Sequence, residues 1–124
     1  MKILGIGVDI IDNKRINRYK SPNVEKLFGW KPEELIGNNA FDNIHSDDIE
    51  KANIFIDSLL SEPYKNGTTE IRYKHKNGNY AWIKFTASNL LHDPIINGLL
   101  GNYHDISESK NAEIKLIKAQ EKAN

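Results

Sequence analysis

The sequence predicts a single α+β domain in which short helices precede three consecutive strands. Three observations support this prediction. Two strand-like runs flank the Asn77-Gly78 pair, a strong hairpin signal. The apolar residues between positions 49 and 60 recur at helical spacing. The chain has 124 residues, enough for one modest core.

The register of the hairpin follows from the side chains that each choice would bury. A three-residue loop with Gly78 left-handed aligns apolar residues across one face: Thr69, Ile71 and Tyr73 with Phe85, Ile83 and Ala81. It also sets complementary neighbours across the other face: Glu70 with Lys84 as an ion pair, and Arg72 with Trp82 as a cation–π contact. A two-residue loop would mix charged and apolar residues on one face. We therefore predict the three-residue loop, with Trp82 on the outer face.

Two further strands are expected near the N-terminus. Residues 3–11 alternate Leu4, Ile6, Val8 and Ile10 with Gly5 and Gly7 on the opposite face. A turn at residues 12–14 then lets residues 15–20 return as the partner strand. The run 99–104 follows a turn-rich segment and is expected to join the sheet of the central hairpin.

The sequence also indicates where several helices begin and end. Ser21-Pro22 predicts a capped helix that Gly29 ends, and Pro32 predicts the first position of a second short helix. The acidic residues near position 46 open a longer helix that Pro63 stops, and Ser107 is expected to cap a last helix reaching the C-terminus.

The composition narrows the class of partner. Seventeen basic and seventeen acidic residues cancel, so neither nucleic acid nor an anionic membrane surface is expected as a partner. The sequence contains no cysteine, which excludes disulfides, thiolate metal sites and a cysteinyl cofactor adduct. No apolar run reaches membrane-spanning length. We expect a cytoplasmic domain.

Four segments in the expected order resemble PAS sensory domains. Residues 21–37 resemble the helical signature of that family, and residues 45–48 its entry into a long helix. Residues 76–83 resemble its central hairpin, and residues 101–110 its closing strand and PAC-type junction. The resemblance implies a five-stranded antiparallel sheet of order 2-1-5-4-3, with helices on one face and a C-terminal signalling helix. It places the sensory domain at residues 1–107 and the linker helix at residues 108–124.

The resemblance also implies a function and a site. PAS domains bind small ligands or relay signals by dimerisation to output domains such as sensor histidine kinases of two-component systems. The candidate pocket residues are apolar positions on the sheet and the long helix: Phe55, Leu59, Ile71, Phe85, Leu99 and Tyr103. The cofactor stays unknown. The helix 48–60 has no histidine to ligate haem, which disfavours haem and leaves only His104 on the last strand as a ligand for it, whereas noncovalent flavin stays open.

One alternative concerns the first strand. Residues 1–11 also resemble the N-terminus of holo-acyl-carrier-protein synthase, a magnesium-dependent phosphopantetheinyl transferase, in which the acid matching Asp9 is a metal ligand. The second acidic helix of that family has no counterpart here, and one carboxylate is not a magnesium site. Helix capping explains His45, Asp47 and Asp48 better than metal binding does. No catalytic constellation is apparent, so we expect a protein that is not an enzyme.

The last helix predicts self-association. Ala112, Leu116, Ala119 and Ala123 are spaced as in a coiled-coil seam. A helix folded back on its own domain is the competing interpretation. We expect a weak homodimer through this helix or through the outer sheet face, which carries Trp82 and Tyr80. A ligand-free dimerisation module with a filled core is a further alternative.

Overall fold

The computed structural model describes residues 5–123, and its sheet has the expected topology. The elements in chain order are β1 Ile6–Ile11, β2 Asn17–Lys20, α1 Val24–Phe28, α2 Pro32–Leu35, two 3₁₀ turns at Ala40–Asn43 and Ser46–Asp48, α3 Ile49–Leu60, β3 Asn66–Lys74, β4 Tyr80–Leu90, β5 Gly98–Asp105 and α4 Ser107–Ala123. The strands form one antiparallel sheet of order β2-β1-β5-β4-β3. Ile3 and Leu4, predicted as the first residues of the first strand, lie outside the described residues.

The central hairpin has the predicted register. Ile71 pairs with Ile83 and Arg72 with Trp82, while Gly78 has a φ of 95°. The Arg72 guanidinium lies 5.0 Å from the centre of the Trp82 ring. Because Gly78 holds the left-handed conformation, the loop closes with three residues and the apolar side chains stay on one face.

The predicted ion-pair partner of Glu70, Lys84, is wrong. The two residues face each other in the strand register, but the Glu70 carboxylate instead bonds Lys110 Nζ at 2.6 Å. The first turn of α4 lies over the outer sheet face and brings the Lys110 ammonium to 5.1 Å from the Trp82 ring centre. The helix therefore supplies the cation that the sequence pattern assigned to β4.

β1 turns its apolar side outward. Ile6 is 43% exposed and Val8 37%, whereas Asp9 and Ile11 are buried on the inner face. This orientation needs a glycine at position 7, because a Cβ there would lie 2.2 Å from Cζ of Tyr103. Gly7, which thins this side of the strand, thus marks the side that packs against the core.

Two predicted helix caps have other roles. The Ser21 hydroxyl accepts a hydrogen bond from Val8 N–H at 2.9 Å, so it joins α1 to β1 instead of capping. The Ser107 hydroxyl accepts from Trp82 N–H, and Asp105 Oδ1 accepts from Ser107 N–H at the start of α4. Both serines therefore fasten a helix to the sheet.

The other helix signals behave as expected. Gly29 ends α1 with a φ of 83°, and Pro32 is the first residue of α2. α3 ends at Leu60, before Pro63.

The edge strand β3 is covered by the segment that leads into α3. His45 N–H donates to the Arg72 carbonyl, and Asp48 Oδ2 accepts from Arg72 N–H at 2.7 Å. His45 Nδ1 accepts from Asp47 N–H, as a capping residue does, but Asp48 makes no cap and bonds Arg72 instead. Covering the edge hides backbone groups that would otherwise pair with another chain.

The core lies between the inner sheet face and the helices. Its fully buried side chains include Phe28, Leu59, Leu99 and Val24. α4 is different, because residues 111–123 are all exposed. Among residues 5–123, no helix is long and apolar enough to cross a bilayer.

Candidate functional site

A cavity lies in the core between the sheet and α3. A volume of about 40 Å³ is open to the centres of water-sized molecules. The wall is mostly apolar and includes Phe28, Phe55, Ile56, Ile71, Ile83 and Phe85. β3, β4 and α3 each contribute side chains because their buried faces meet here. Such a space suits a small molecule with apolar surface.

One end of the cavity is polar. Asp9 of β1, Lys20 of β2 and Tyr103 of β5 line it, and all three are nine-tenths or more buried. Lys20 Nζ donates to Asp9 Oδ2 at 3.2 Å and lies 5.1 Å from the Tyr103 ring centre. We call these three residues the polar end.

The strand register assembles the polar end. Asp9 pairs with Lys20 across β1 and β2, and with Gly101 across β1 and β5. A Cβ at Gly101 would lie 2.5 Å from Asp9 Oδ1, so the absent side chain makes room for the carboxylate. Glycine at this position therefore lets a charged side chain lie flat on the inner face.

The ionisation of the polar end follows from burial and pairing. Burial raises the pKa of Asp9, and the nearby Lys20 ammonium only partly opposes that rise. Burial alone would lower the pKa of Lys20, but the Asp9 carboxylate and two tyrosines raise it overall. Burial raises the pKa of Tyr103 to about 12, so its hydroxyl keeps its proton at neutral pH.

Two buried oxygens stand out at the polar end. Within residues 5–123, no group meets the geometry of a hydrogen bond with Asp9 Oδ1 or with the Tyr103 hydroxyl. Ser21 lies close enough to Tyr103 to lower the pKa of the phenol, as a side-chain hydrogen bond does. Its hydroxyl, however, already accepts from Val8 N–H at 2.9 Å and donates to Asn23 at 2.6 Å. Both oxygens are fully buried, and buried polar atoms are rarely left unpaired.

Comparison with known proteins identifies the family. The family model described as PAS fold matches residues 17–94, more than half of the chain. The chain belongs to the PAS fold family. PAS domains are generally sensory and signalling modules. No curated protein matches the chain significantly.

Solved PAS domains share the architecture. A PAS domain of a protein from Colwellia psychrerythraea is 23% identical with a TM-score of 0.72, covering 83% of this chain and 87% of that one. The PAS-B domain of Drosophila melanogaster Cycle with bound ethylene glycol is 13% identical with a TM-score of 0.67, covering 80% of this chain and 96% of that one. At these identities the likeness concerns the fold.

The predicted pocket residues of this PAS domain divide into two groups. Phe55, Ile71, Phe85 and Tyr103 border the cavity. Leu59 and Leu99 are each 1% exposed and fill the core without bordering the cavity. A contact of any of the six with a ligand remains a prediction.

Sequence reasoning missed Asp9 and Lys20 as cavity residues. It considered Asp9 only as the metal ligand of the transferase alternative, and the structure does not favour that role. The carboxylate is bonded to an ammonium, and among residues 5–123 no three acidic, histidine or cysteine side chains group to hold a metal. Two inward glycines, Gly7 and Gly101, were the signal that this face of β1 is buried.

The junction of α4 lies directly behind the cavity. Ile83 borders the cavity from the inner face of β4. Its neighbour Trp82 lies on the outer face, donates through its backbone to Ser107 and accepts from Ile106 N–H at 2.8 Å. Adjacent residues of one strand therefore contact the cavity wall and the start of α4.

Proposed function

We propose that this PAS domain senses a small molecule in its interior cavity and relays occupancy through α4. The observation that carries the proposal is the position of β4, because Ile83 borders the cavity and Trp82 holds the start of α4. A shift of β4 on ligand binding would change the hydrogen bonds at Ser107. The output partner is of the kind that PAS domains serve, such as a sensor histidine kinase of a two-component system.

The proposal divides the chain into a sensory domain at residues 1–107 and a signalling helix at residues 108–124. The exposure of every residue from 111 to 123 supports this division, because a helix packed on its own domain would bury one face. Lys110, in the first turn of α4, contacts the sheet through Glu70 and Trp82. In this proposal, the connection between β5 and α4 serves as the PAC motif, which joins the sensory domain to the signalling helix.

The proposal includes a weak homodimer. The outer face of β1 and β2 exposes Ile6, Val8 and Tyr19, and α4 exposes Ile114, Leu116 and Ile117. Two such apolar surfaces would be partly buried against a second copy of the chain. Dimerisation would place two signalling helices side by side, as the seam of Ala112, Leu116, Ala119 and Ala123 requires.

We propose no catalytic activity and a reducing compartment such as the cytoplasm. Among the described residues that line the cavity, Asp9 is the only carboxylate and it is bonded to Lys20, and no histidine accompanies it. The lack of cysteine suits a reducing environment.

A ligand-free dimerisation module is the second candidate. The observation that favours it is the size of the cavity, since about 40 Å³ excludes a bulky cofactor such as haem or flavin in this conformation. That module would use the outer sheet face and α4 in the same way but would not respond to small molecules.

A melting-temperature screen with a small-molecule panel separates the two candidates. Ala52 of α3 borders the cavity and is 3% exposed, so Ala52→Leu fills the space from within. Sensing predicts ligands that raise the melting temperature of the native chain and not of Ala52→Leu. Ile54→Leu, a change at an exposed residue of the same helix, should respond as the native chain does. No ligand-dependent shift across the panel would favour the dimerisation module.

A further inference from the structure

A short strap crosses the molecule beside the cavity. The strap, residues 38–45, joins β2 and β3, which are the two edge strands of the sheet. At its first end, Asn17 N–H donates to the Asn38 carbonyl at 2.9 Å. At its last end, His45 N–H donates to the Arg72 carbonyl at 3.0 Å. Backbone hydrogen bonds therefore fix both ends of the strap to the sheet.

The middle of the strap forms part of the cavity wall. Ala40, Phe41 and Ile44 border the cavity, and Phe41 is also partly exposed, so its ring separates the cavity from solvent. The backbone here is the 3₁₀ turn Ala40–Asn43, closed by a hydrogen bond of 3.1 Å from Ile44 N–H to the Phe41 carbonyl. Hydrogen bonds of 3₁₀ geometry are poorer than those of an α-helix, so this part of the wall opens at lower cost than α3 does.

The Arg15 side chain lies over the Phe41 ring. Its guanidinium carbon is 5.4 Å from the ring centre, within the range of a cation–π contact. Its Nε donates to Asn53 Oδ1 at 3.2 Å, and its Nη2 donates to Asp57 Oδ1 at 2.9 Å. Asn53 and Asp57 both belong to α3. Arg15 therefore links the turn between β1 and β2 to α3 across the ring, and we call Arg15, Asn53 and Asp57 the latch.

The latch contacts the wall of the cavity and not its interior. Arg15, Asn53 and Asp57 are not among the described residues that border the cavity. Arg15 has a φ of 67°, a conformation that residues other than glycine rarely adopt. Such a conformation persists where the surrounding structure holds it, as the contacts to Phe41 and α3 do here.

A second partly exposed part of the wall is more rigid. Phe55 and Thr69 also border the cavity and are partly exposed. Phe55 lies in the middle of α3 and packs against Phe85 with ring centres 6.0 Å apart, while Thr69 pairs with Phe85 in the sheet. Opening the wall at this place would disturb a helix or the pairing of two strands. The strap is therefore the easier route into the cavity.

We propose that small molecules enter the cavity past Phe41, and that Arg15 sets the rate of entry by holding the ring in place. Arg15 is a positioning residue, because it acts through Phe41. When its side chain leaves Asn53 and Asp57, the 3₁₀ turn is free to move outward. This inference rests on the proposed sensing function and concerns access to its cavity. Because the latch does not contact the bound molecule, it changes the rates of entry and exit by the same factor and leaves Kd unchanged.

The test measures how fast xenon enters and leaves the cavity, since xenon binds in apolar cavities without hydrogen bonding. The full chain, labelled at isoleucine methyl groups, is titrated with xenon, and NMR line shapes give both rates and Kd. Ile56 and Ile71 border the cavity and report binding. Ile95 is 87% exposed and reports nonspecific effects.

Two variants release the latch from its two sides. Arg15→Met keeps an unbranched side chain beside the ring but loses the hydrogen bonds to α3, and should raise both rates about fivefold. The double variant Asn53→Ala, Asp57→Ala should raise both rates about threefold, and alanine favours the helix, so α3 is retained. Kd should be the native value in both. The matched control Lys14→Ala removes an exposed cation from the same turn and should change neither rate.

Amide hydrogen exchange shows which segment opens. Ile44 N–H is bonded within the strap, so its exchange should be about fivefold faster in Arg15→Met than in the native chain. Exchange at Ile56, in the middle of α3, should match the native chain. Faster exchange at Ile56 and not at Ile44 would mean that Arg15 only supports α3, which overturns the proposal.

The outcomes separate this inference from the proposed function. If xenon enters the native chain and both latch variants at equal rates, the entrance lies elsewhere and the proposal is wrong, whereas the sensing function remains. A changed Kd also overturns the proposal, because Arg15 would then shape the cavity itself. If xenon enters neither the native chain nor the variants, the sensing function fails together with this inference.

Discussion

Asp48 Oδ1 lies 2.9 Å from Nη2 of Arg72, and the same carboxylate accepts the backbone N–H of Arg72 through Oδ2 at 2.7 Å. One side chain at the entrance of α3 therefore holds both the side chain and the backbone of the edge strand β3. The hydrogen bonds from the Arg72 side chain are the main reason that the pKa of Asp48 is lowered, although burial acts in the opposite direction.

Asp48→Asn should destabilise the fold by about 2 kcal/mol at pH 7, because it removes charge-assisted hydrogen bonds from a buried group. A carboxyl whose pKa is lower in the folded state stabilises the fold above its unfolded pKa of about 3.9. That contribution disappears as pH falls through the folded pKa. The stability difference between the native chain and Asp48→Asn should therefore shrink below about pH 4. Urea unfolding at several pH values measures it.

Asp47→Asn is the matched control, since that side chain is 72% exposed and lies 3.9 Å from Arg72. It should change stability by less than about 0.5 kcal/mol at either pH. A loss at Asp47 equal to that at Asp48 would contradict the specific role of the buried carboxylate.

Gly78→Val should destabilise the fold by about 1 kcal/mol or more, because Gly78 has a φ of 95° that a β-branched residue adopts only with strain. A Cβ at this position would meet no atom within 4 Å, so the cost is conformational and not steric. Chemical denaturation measures the change. Gly5→Ala, where a Cβ also meets nothing within 4 Å and no positive φ is present, is the control. Equal stability of Gly78→Val and the native chain would refute the strained loop.

Lys20→Met should destabilise the fold by about 3 kcal/mol or more, because it leaves the buried Asp9 carboxylate without its counter-charge. Adding Asp9→Asn to that variant should restore part of the loss, since no buried charge then remains. Thermal or urea unfolding of both variants gives the comparison. A double variant less stable than Lys20→Met would mean that the pair is not coupled as the structure indicates.

Sedimentation equilibrium at high micromolar concentration tests the dimer on the native chain and on one ending at Ser109. We expect weak association of the native chain and weaker association of the shortened one, because α4 carries Leu116 and Ile117 on its exposed surface. An unchanged dimer after truncation would move the interface to the sheet, where Val8→Lys should then break it. A strict monomer in both cases would refute the dimer.

Much of the fold was predictable because it depends on local patterns. The Asn77-Gly78 turn and the apolar alternation around it determine the hairpin register, and the ordered family motifs led to the correct strand order. Pro32 and Gly29 mark helix ends because their backbone preferences act without distant contacts. Each of these signals lies within a few residues of the feature that it predicts.

The polar end was not predictable by the same means. Hydrophobic alternation in β1 favours burial of Ile6 and Val8, yet the structure buries Asp9. Which face of β1 is buried depends on contacts with residues far away in the sequence. Tyr103 packs against Gly7, and Asp9 packs against Gly101. The Glu70–Lys110 pair likewise joins residues far apart in sequence, which no pairing rule within the hairpin anticipates.

The central claim is that the state of the cavity reaches α4 through β4, and amide hydrogen exchange of the first turns of α4 tests it most directly. Exchange is measured in the native chain, in Ala52→Leu and in the control Ile54→Leu. Xenon binding checks that the cavity is filled. Filling the cavity should change exchange at residues 107–112 by severalfold, because Trp82 N–H bonds Ser107 and Ile83 borders the cavity. The control should match the native chain. Unchanged exchange in α4 when Ala52→Leu excludes xenon would contradict the account.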